Sequence, residues 1–376
     1  MGERPPLGAI SIGSNDIHLL VATSDGIGTF ERKANQSMLA ELVGAVRGGV
    51  VPAKALSQAL LDLETLVTQA RNAGATPIIA LAPEAMREVA NDPAFIELVG
   101  TTLGIQAVLI SGEEEAALDY SWATFPPVPP PPLLVVDSGG GSTQAILGNG
   151  PTPAFAQSLP VGAGNMTKQF VDHDSPTNEE IEALSIHVAT LVETLPLMLA
   201  PQSAILMGGS ADHLLQFAAA PEQHKVTQED LQRALHELRH KSAREIAHDY
   251  HCPEERVHLL AAGAVILGHV LSHYHFDEAY VKPNGIRGGL VVSYARHQDG
   301  WRQALAHPSS RPPVCAPLGG PCRQGNTERK RNLVRKGERT RLSPFAPSFL
   351  RPLRLLILLM LKPCIVSTES LHWLLC

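Results

Sequence analysis

The sequence predicts an α/β fold built in two rounds, on three observations. Short apolar, β-branched runs alternate with segments of helical periodicity, which is the pattern of a sheet with parallel components. A segment with six prolines, 125–132, divides the chain, because proline cannot continue a helix and has no amide to give a central strand. On either side of that segment the chain opens alike, with a strand, a Gly-Ser turn and a second strand.

The first round begins with apolar runs at 8–12 and 17–23, separated by Gly13-Ser14-Asn15-Asp16; this reads as two strands joined by a tight turn. Over 52–73, Leu56, Leu60, Leu63 and Val67 recur at helical spacing, and Gly74 ends the helix. A strand follows at 76–81, a helix at 94–104 and another strand at 105–110. The second round has strands at 133–136, 143–147 and 155–159, then helices starting at Gly164 and Thr177. A buried strand at 204–207 runs into Gly208-Gly209-Ser210, and long helices occupy 228–239 and 254–272. The expected domains are 1–125 and 126–300, with a duplicated architecture. From 301 to 376 Pro, Arg and Ser dominate and both periodicities vanish, so a disordered basic tail is expected.

Composition narrows the function. Charged residues make up 18% of the 376 and hydrophobic residues 44%, ordinary values for a globular enzyme. From Trp301 onward there are 13 Lys and Arg against 3 Asp and Glu, which leaves the preceding residues at a net −17. So acidic a body repels polyanions at long range, and any phosphate must be held by a local site. Nucleic acid is not an expected partner. The apolar run at 355–361 is far shorter than the ~20 residues of a membrane span, so no membrane partner is expected either. Cys252 is the one cysteine before residue 301 and no CxxC pair exists; with no secretory signal, this fits a reducing cytoplasm.

Three glycine turns carry the candidate chemistry. Gly139-Gly140-Gly141-Ser142 follows a strand that ends in Asp137. Successive glycines let the backbone approach a ligand, and consecutive amides form a nest for an anion. Asp137 is placed to bind a magnesium ion, directly or through water. Gly13-Ser14-Asn15 offers a second cradle, and Gly208-Gly209-Ser210 a third between a strand and a helix. The Gly13 and Gly208 turns taken alone fit a hairpin or a helix start as well, whereas the aspartate before and the serine after the glycines at 139–141 favour an anion site there. In Ser111-Gly112-Glu113-Glu114-Glu115, Ser111 suits an N-cap and the acids complement the helix dipole. Successive helical residues point about 100° apart, so one glutamate at most aligns a water, and composition leaves open which. Arg87, just past a strand, suits a phosphate clamp as well as it suits solvent. His269, His273 and His275, with no acidic or cysteine partners, do not read as a metal site.

Taken in order, these segments resemble the exopolyphosphatase / guanosine pentaphosphate phosphatase (Ppx/GppA) family. The matching stretches are Ile12-Gly13-Ser14-Asn15, Met86-Arg87-Glu88, Ile110-Ser111-Gly112 with Glu114-Glu115-Ala116, and 137–143. They continue with Leu159-Pro160-Val161-Gly162, Gly208-Gly209-Ser210 and Pro283-Asn284-Gly285-Ile286-Arg287. The resemblance implies a two-domain actin-like ATPase (ribonuclease H-like) fold with its site in the interdomain cleft. It implies hydrolysis of terminal phosphate from inorganic polyphosphate or guanosine pentaphosphate, with Mg2+. Glu115 matches the glutamate that aligns the attacking water, the glycine turns match phosphate-holding segments, and Arg87 matches an arginine near the substrate. Polyphosphate or a guanosine penta- or tetraphosphate is the expected ligand, and a homodimer the expected assembly. Three positions depart from the family pattern: Ser11 stands for an aspartate, Gln144 for a glutamate and Asn165 for an arginine. The first two remove anions expected to help hold the metal. They motivate an alternative, a weak homologue that binds such ligands as a sensor. A kinase of the same fold is a third reading, without a matching acceptor motif.

Overall fold

In the computed structural model, residues 4–13, 16–40, 52–83 and 93–305 are described, all within the unit Met1–Val314. Strands β1 (Leu7–Ile12), β2 (Asp16–Ser24) and β3 (Phe30–Leu39) form an antiparallel meander. Beyond helix α1 (Ala53–Asn72), β4 (Ile78–Ala82) returns parallel to β1. Helix α2 (Pro93–Leu103) then leads to β5 (Gln106–Leu109), parallel to β4, and the sheet order is β3-β2-β1-β4-β5.

Helix α3 (Gly112–Ala123) and the proline segment carry the chain into a second sheet that repeats this plan. Strands β6 (Leu133–Ser138), β7 (Thr143–Gly148) and β8 (Phe155–Leu159) form the meander. Helices α4 (Ala163–Phe170) and α5 (Asn178–Val192) follow, and β9 (Ser203–Met207) lies parallel to β6. Short α6 (Gly209–Leu214), β10 (Lys225–Thr227), α7 (Gln228–His240), α8 (Ala243–Asp249) and α9 (Glu254–His273) come next. Strand β11 (Glu278–Val281) then pairs parallel with β9. Without the added edge strand β10, the order β8-β7-β6-β9-β11 is that of the first sheet. The expected duplication is therefore a property of topology.

Packing joins the halves. In β1, Ile10 and Ile12 face a core shared with α1 and α2, while Leu7 and Ala9 face the opposite side; the period of two puts apolar groups on both faces. That second side is covered by α3 and by α10 (Gly285–His297). The same two helices also supply Tyr120, Trp122 and Val292 to the inner face of the second sheet. Helices α3 and α10 are thus the shared middle layer between two sheets. The largest core lies beyond the second sheet, around α9. Lys282 reaches back from the end of β11 to the carbonyls of Ala123, Phe125 and Pro127 and lies 4.8 Å from the Trp122 ring centre. It thereby fixes the start of the proline segment.

Sequence periodicity did not reveal α10. Its glycines, poor helix formers, are needed for approach: a Cβ on Gly289 would sit 2.0 Å from the Leu118 carbonyl oxygen, and one on Gly288 would sit 2.5 Å from the Trp122 ring. Residues Trp301–Leu305, which the sequence assigns to the tail, form helix α11, because Trp301 is buried among the residues of the middle layer. The remainder of the expected tail lies outside the described residues.

The α3–α10 contact predicts a stability effect. Gly289→Ala should cost about 3 kcal/mol or more by overpacking against backbone, whereas Gly28→Ala, with open space around it, should change stability little. Urea unfolding of both variants checks this, and equal midpoints would contradict the packing.

Candidate functional site

A cavity of about 430 Å³ opens where the two sheets and the middle layer meet. Gly13, Glu115, Asp137, the 139–142 turn and Gly208-Gly209-Ser210 all line it. Three glycine turns far apart in sequence are therefore brought to one place, because β1, β6 and β9 end there. Ser14, Asn15 and Arg87 lie outside the described residues.

The 139–142 turn is held by α4. Gly139 donates to the Ser142 carbonyl at 2.9 Å, Ala163 to Gly139 O at 2.9 Å and Asn165 to Gly140 O at 2.9 Å. The Asn165 side chain donates to Gly141 O at 2.9 Å while its Oδ1 accepts from Gly162 N at 2.7 Å. With the carbonyls tied to α4, the Gly140 and Gly141 amides have no acceptor among the described residues, the condition for an anion nest. Asn165, where the resemblance leads one to expect an arginine, thus braces the turn. The third turn is tight for another reason: a Cβ on Gly208 would lie 2.2 Å from Ser138 O and 2.8 Å from Asp137 Oδ1. Ser210 packs against Gly263 of α9, where a Cβ would stand 2.6 Å from its Oγ.

Local structure decides among the three glutamates. Glu113 is exposed. Glu114 closes a capping box with Ser111 and is bound by Arg302. Glu115, one residue on, turns into the cavity. One helical turn further, on the same face, stands Asp119, which sequence reasoning missed. A polar residue on a half-exposed helix carries little signal, yet Asp119 is fully buried.

Asp119 lies beside Asp137. A Cβ built on Gly285 would be 2.8 Å from Asp137 Oδ2 and 3.2 Å from Asp119 Oδ1. Neither Asp119 oxygen meets a donor among the other described residues, so a hydrogen bond between the two carboxyl groups requires a proton on one of them. Burial raises the Asp119 pKa well above the carboxylate range, and the charges of Asp137 and Glu115 raise it further. Asp137 is also raised by burial, opposed by its Asp119 hydrogen bond and by Arg287. Nearby Asp212, on α6, is pushed up to about 7 by burial, which outweighs the opposing charge of Arg287.

Two guanidinium groups face these acids, and neither was assigned a role on sequence. Arg287, the third residue of α10, is brought down to about 10 by burial, against the pull of Asp212 and Asp137. It donates to Asn35 Oδ1 at 3.2 Å. Arg256, the third residue of α9, bridges the cavity to the Asp16 carboxylate on β2. The one arginine in a largely apolar helix was the available signal for Arg256. His18 is held neutral by burial and then by the charges of Arg287 and Arg256. The C-terminal histidines are occupied elsewhere: His269 Nε2 lies 2.7 Å from Ser185 Oγ, and His273 Nε2 2.9 Å from Leu195 O.

The two departures toward neutrality also lie here. Ser11 and Gln144 line the cavity and are buried, and Gln144 pairs with Asp137 across β6 and β7. Among the described residues no three His, Cys, Asp or Glu side chains form a metal cluster. Two adjoining carboxylates, one of them Asp119 with both oxygens buried and without a donor among the described residues, nevertheless fit a hard cation, since magnesium takes one or two carboxylates and completes its shell with water and phosphate oxygens.

Two duplicated α/β halves, with glycine turns, carboxylates and guanidiniums lining the cleft between them, define an actin-like fold. The model of the Ppx/GppA phosphatase family matches residues 24–298, and the chain belongs to that family. Exopolyphosphatase 1 of Mycobacterium tuberculosis is 24% identical over 215 residues, covering 55% of this chain and 59% of that protein. The chain thus matches little more than half the length of that relative. The crystal structure of the Aquifex aeolicus family member superposes with a TM-score of 0.64 at 22% identity, covering 78% of this chain and 98% of that one. An exopolyphosphatase from Cytophaga hutchinsonii gives 0.66 at 20%, covering 77% and 98%.

Asp212 makes the site measurable through stability. Its carboxyl ionises near 7 when folded against a usual 3.8, so between those values the unfolded chain binds the proton more weakly. Its contribution is full at low pH and is lost as pH rises toward 7. Asp212→Asn should therefore be more stable than the native chain at pH 8, by roughly 2–4 kcal/mol, with the gap closing toward pH 4. Urea midpoints across that range check this; a pH-independent gap would exclude it.

Proposed function

We propose that the chain is a phosphoanhydride hydrolase that releases the terminal phosphate of inorganic polyphosphate or of guanosine pentaphosphate. The observation that carries this reading is the convergence of Glu115, the free amides of the 139–142 turn and two guanidiniums on one cavity. Family membership and the similarity to proteins named exopolyphosphatase support it.

On this reading Glu115 orients a water in line with the terminal phosphorus and takes its proton as the new P–O bond forms and the bridging P–O bond breaks. The Gly140 and Gly141 amides and Arg287 neutralise phosphoryl oxygens, and Arg256 joins them when a phosphate displaces Asp16 from it. A magnesium ion bound at Asp137 would supply further neutralisation of the charge on the transferred and leaving oxygens. The buried wall formed by Ser11 and Gln144 adds no charge of its own.

Glu115→Gln keeps the shape and removes the base, so phosphate release should fall by about 10²–10⁴. Release from long-chain polyphosphate and from guanosine pentaphosphate, measured side by side across a magnesium titration, checks both activity and substrate. Near-full turnover by Glu115→Gln would overturn the role of that residue. No release by the native chain at any magnesium concentration would overturn the hydrolase reading itself.

A further inference from the structure

We propose that Asp119 and Asp137 together form the carboxylate pair of a divalent-cation site, Asp119 supplying from helix α3 the acid that positions 11 and 144 lack. The proposal rests on the phosphohydrolase reading for its purpose, but not for its geometry.

The two carboxylates converge on Gly285. The point where a Cβ on that residue would stand lies 2.8 Å from Asp137 Oδ2 and 3.2 Å from Asp119 Oδ1, so both acids close on the same glycine. A Cβ on Gly208 would likewise lie 2.8 Å from Asp137 Oδ1, and 2.2 Å from Ser138 O. The chain thus keeps side chains away from both oxygens of Asp137.

Among the described residues no donor satisfies the second acid. Both Asp119 oxygens are buried and without a donor, as is Oδ1 of Asn284, the residue before Gly285. A fully buried carboxylate with no donor is costly, and a structural acid would be expected to have an amide, hydroxyl or guanidinium beside it. The helix could also have taken an apolar side chain here, since Leu118 and Tyr120 on either side are core residues. A cation accounts for a buried acid that has no donor and stands beside a second carboxylate. Arg287, whose charge acts on Asp137, remains available to phosphate.

The spacing explains the substitutions as one change. Position 144 faces Asp137 across the β6–β7 ladder, and position 11 lies in the wall of the same cavity. An acid on α3, one helical turn from Glu115, approaches Asp137 from a different element and restores a second anion without restoring either strand residue.

Manganese binding, followed by the electron paramagnetic resonance of the free ion with no phosphate compound present, tests the site directly. The native chain should bind one Mn2+, and Asp119→Asn should weaken that binding about tenfold or more. The exposed Asp299→Asn should bind as the native chain does. Magnesium should raise the melting temperature of the native chain and leave that of Asp119→Asn unchanged. If the asparagine variant does not fold, Asp119→Thr replaces it with the same required outcome. Equal Mn2+ affinity in native and variant chains, or no binding by the native chain, overturns the proposal. Absence of hydrolysis at full Mn2+ occupancy would instead overturn the phosphohydrolase reading and leave the cation site standing.

Discussion

The structure turns on one constraint, a half-buried carboxylate set where two sheets meet. Asp137 stands one residue from the end of the central strand of the second half, and its two oxygens lie close against Gly208 and Gly285. Either residue with a side chain would press on the carboxylate at contact distances no real Cβ tolerates. Both adopt positive φ, at 93° and 42°, which favours glycine for a second reason. The strand end, the turn after β9 and the start of α10 are therefore fixed relative to one another by the room that one acid requires.

That arrangement propagates through the middle layer. Helix α10 starts at Asp137 and runs along α3, where Gly288 and Gly289 allow near backbone contact. The same α3 presents Glu115 and Asp119 on successive turns of one face. A shift of α10 against α3 would therefore move the acids of the cavity as a set. The ion pair of Arg256 with Asp16 ties the other wall, linking α9 of the second half to β2 of the first. Packing and chemistry are coupled because the same helices perform both.

Much of this was legible in the sequence, and the misses share a cause. Strands β1, β4, β6 and β9 are apolar on both faces and announce themselves. Strand β3, Phe-Glu-Arg-Lys-Ala-Asn-Gln-Ser-Met-Leu, is a largely exposed edge, so its polarity hides its period. Helix α10 was hidden by the glycines that its packing demands. The turns could be located from local pattern, since glycine and a capping serine act within a few residues, whereas Glu115 was singled out among three glutamates only by the family resemblance. Asp119, Asp212, Arg256 and Arg287 owe their character to burial by elements distant in sequence, which no local window contains.

Charge balance then bears on how a polyphosphate could be held at all. The cavity brings Glu115, Asp137, Asp212 and Asp16 around two guanidiniums, with Asp119 behind, and one guanidinium is already matched by Asp16. A phosphate chain entering such a cleft meets more anions than cations, inside a body that is itself strongly acidic. The amides of the 139–142 turn contribute partial charges only. Two adjustments remove the excess: protons on the buried carboxyls, for which Asp119 and Asp212 are poised by burial, or a cation shared with the ligand. Protons would neutralise the acids without attracting phosphate, whereas a divalent ion between Asp119 and Asp137 would do both. On electrostatic grounds the proposed substrate therefore calls for the proposed cation site, with Asp119 as the residue that distinguishes this cleft from one built on strand acids.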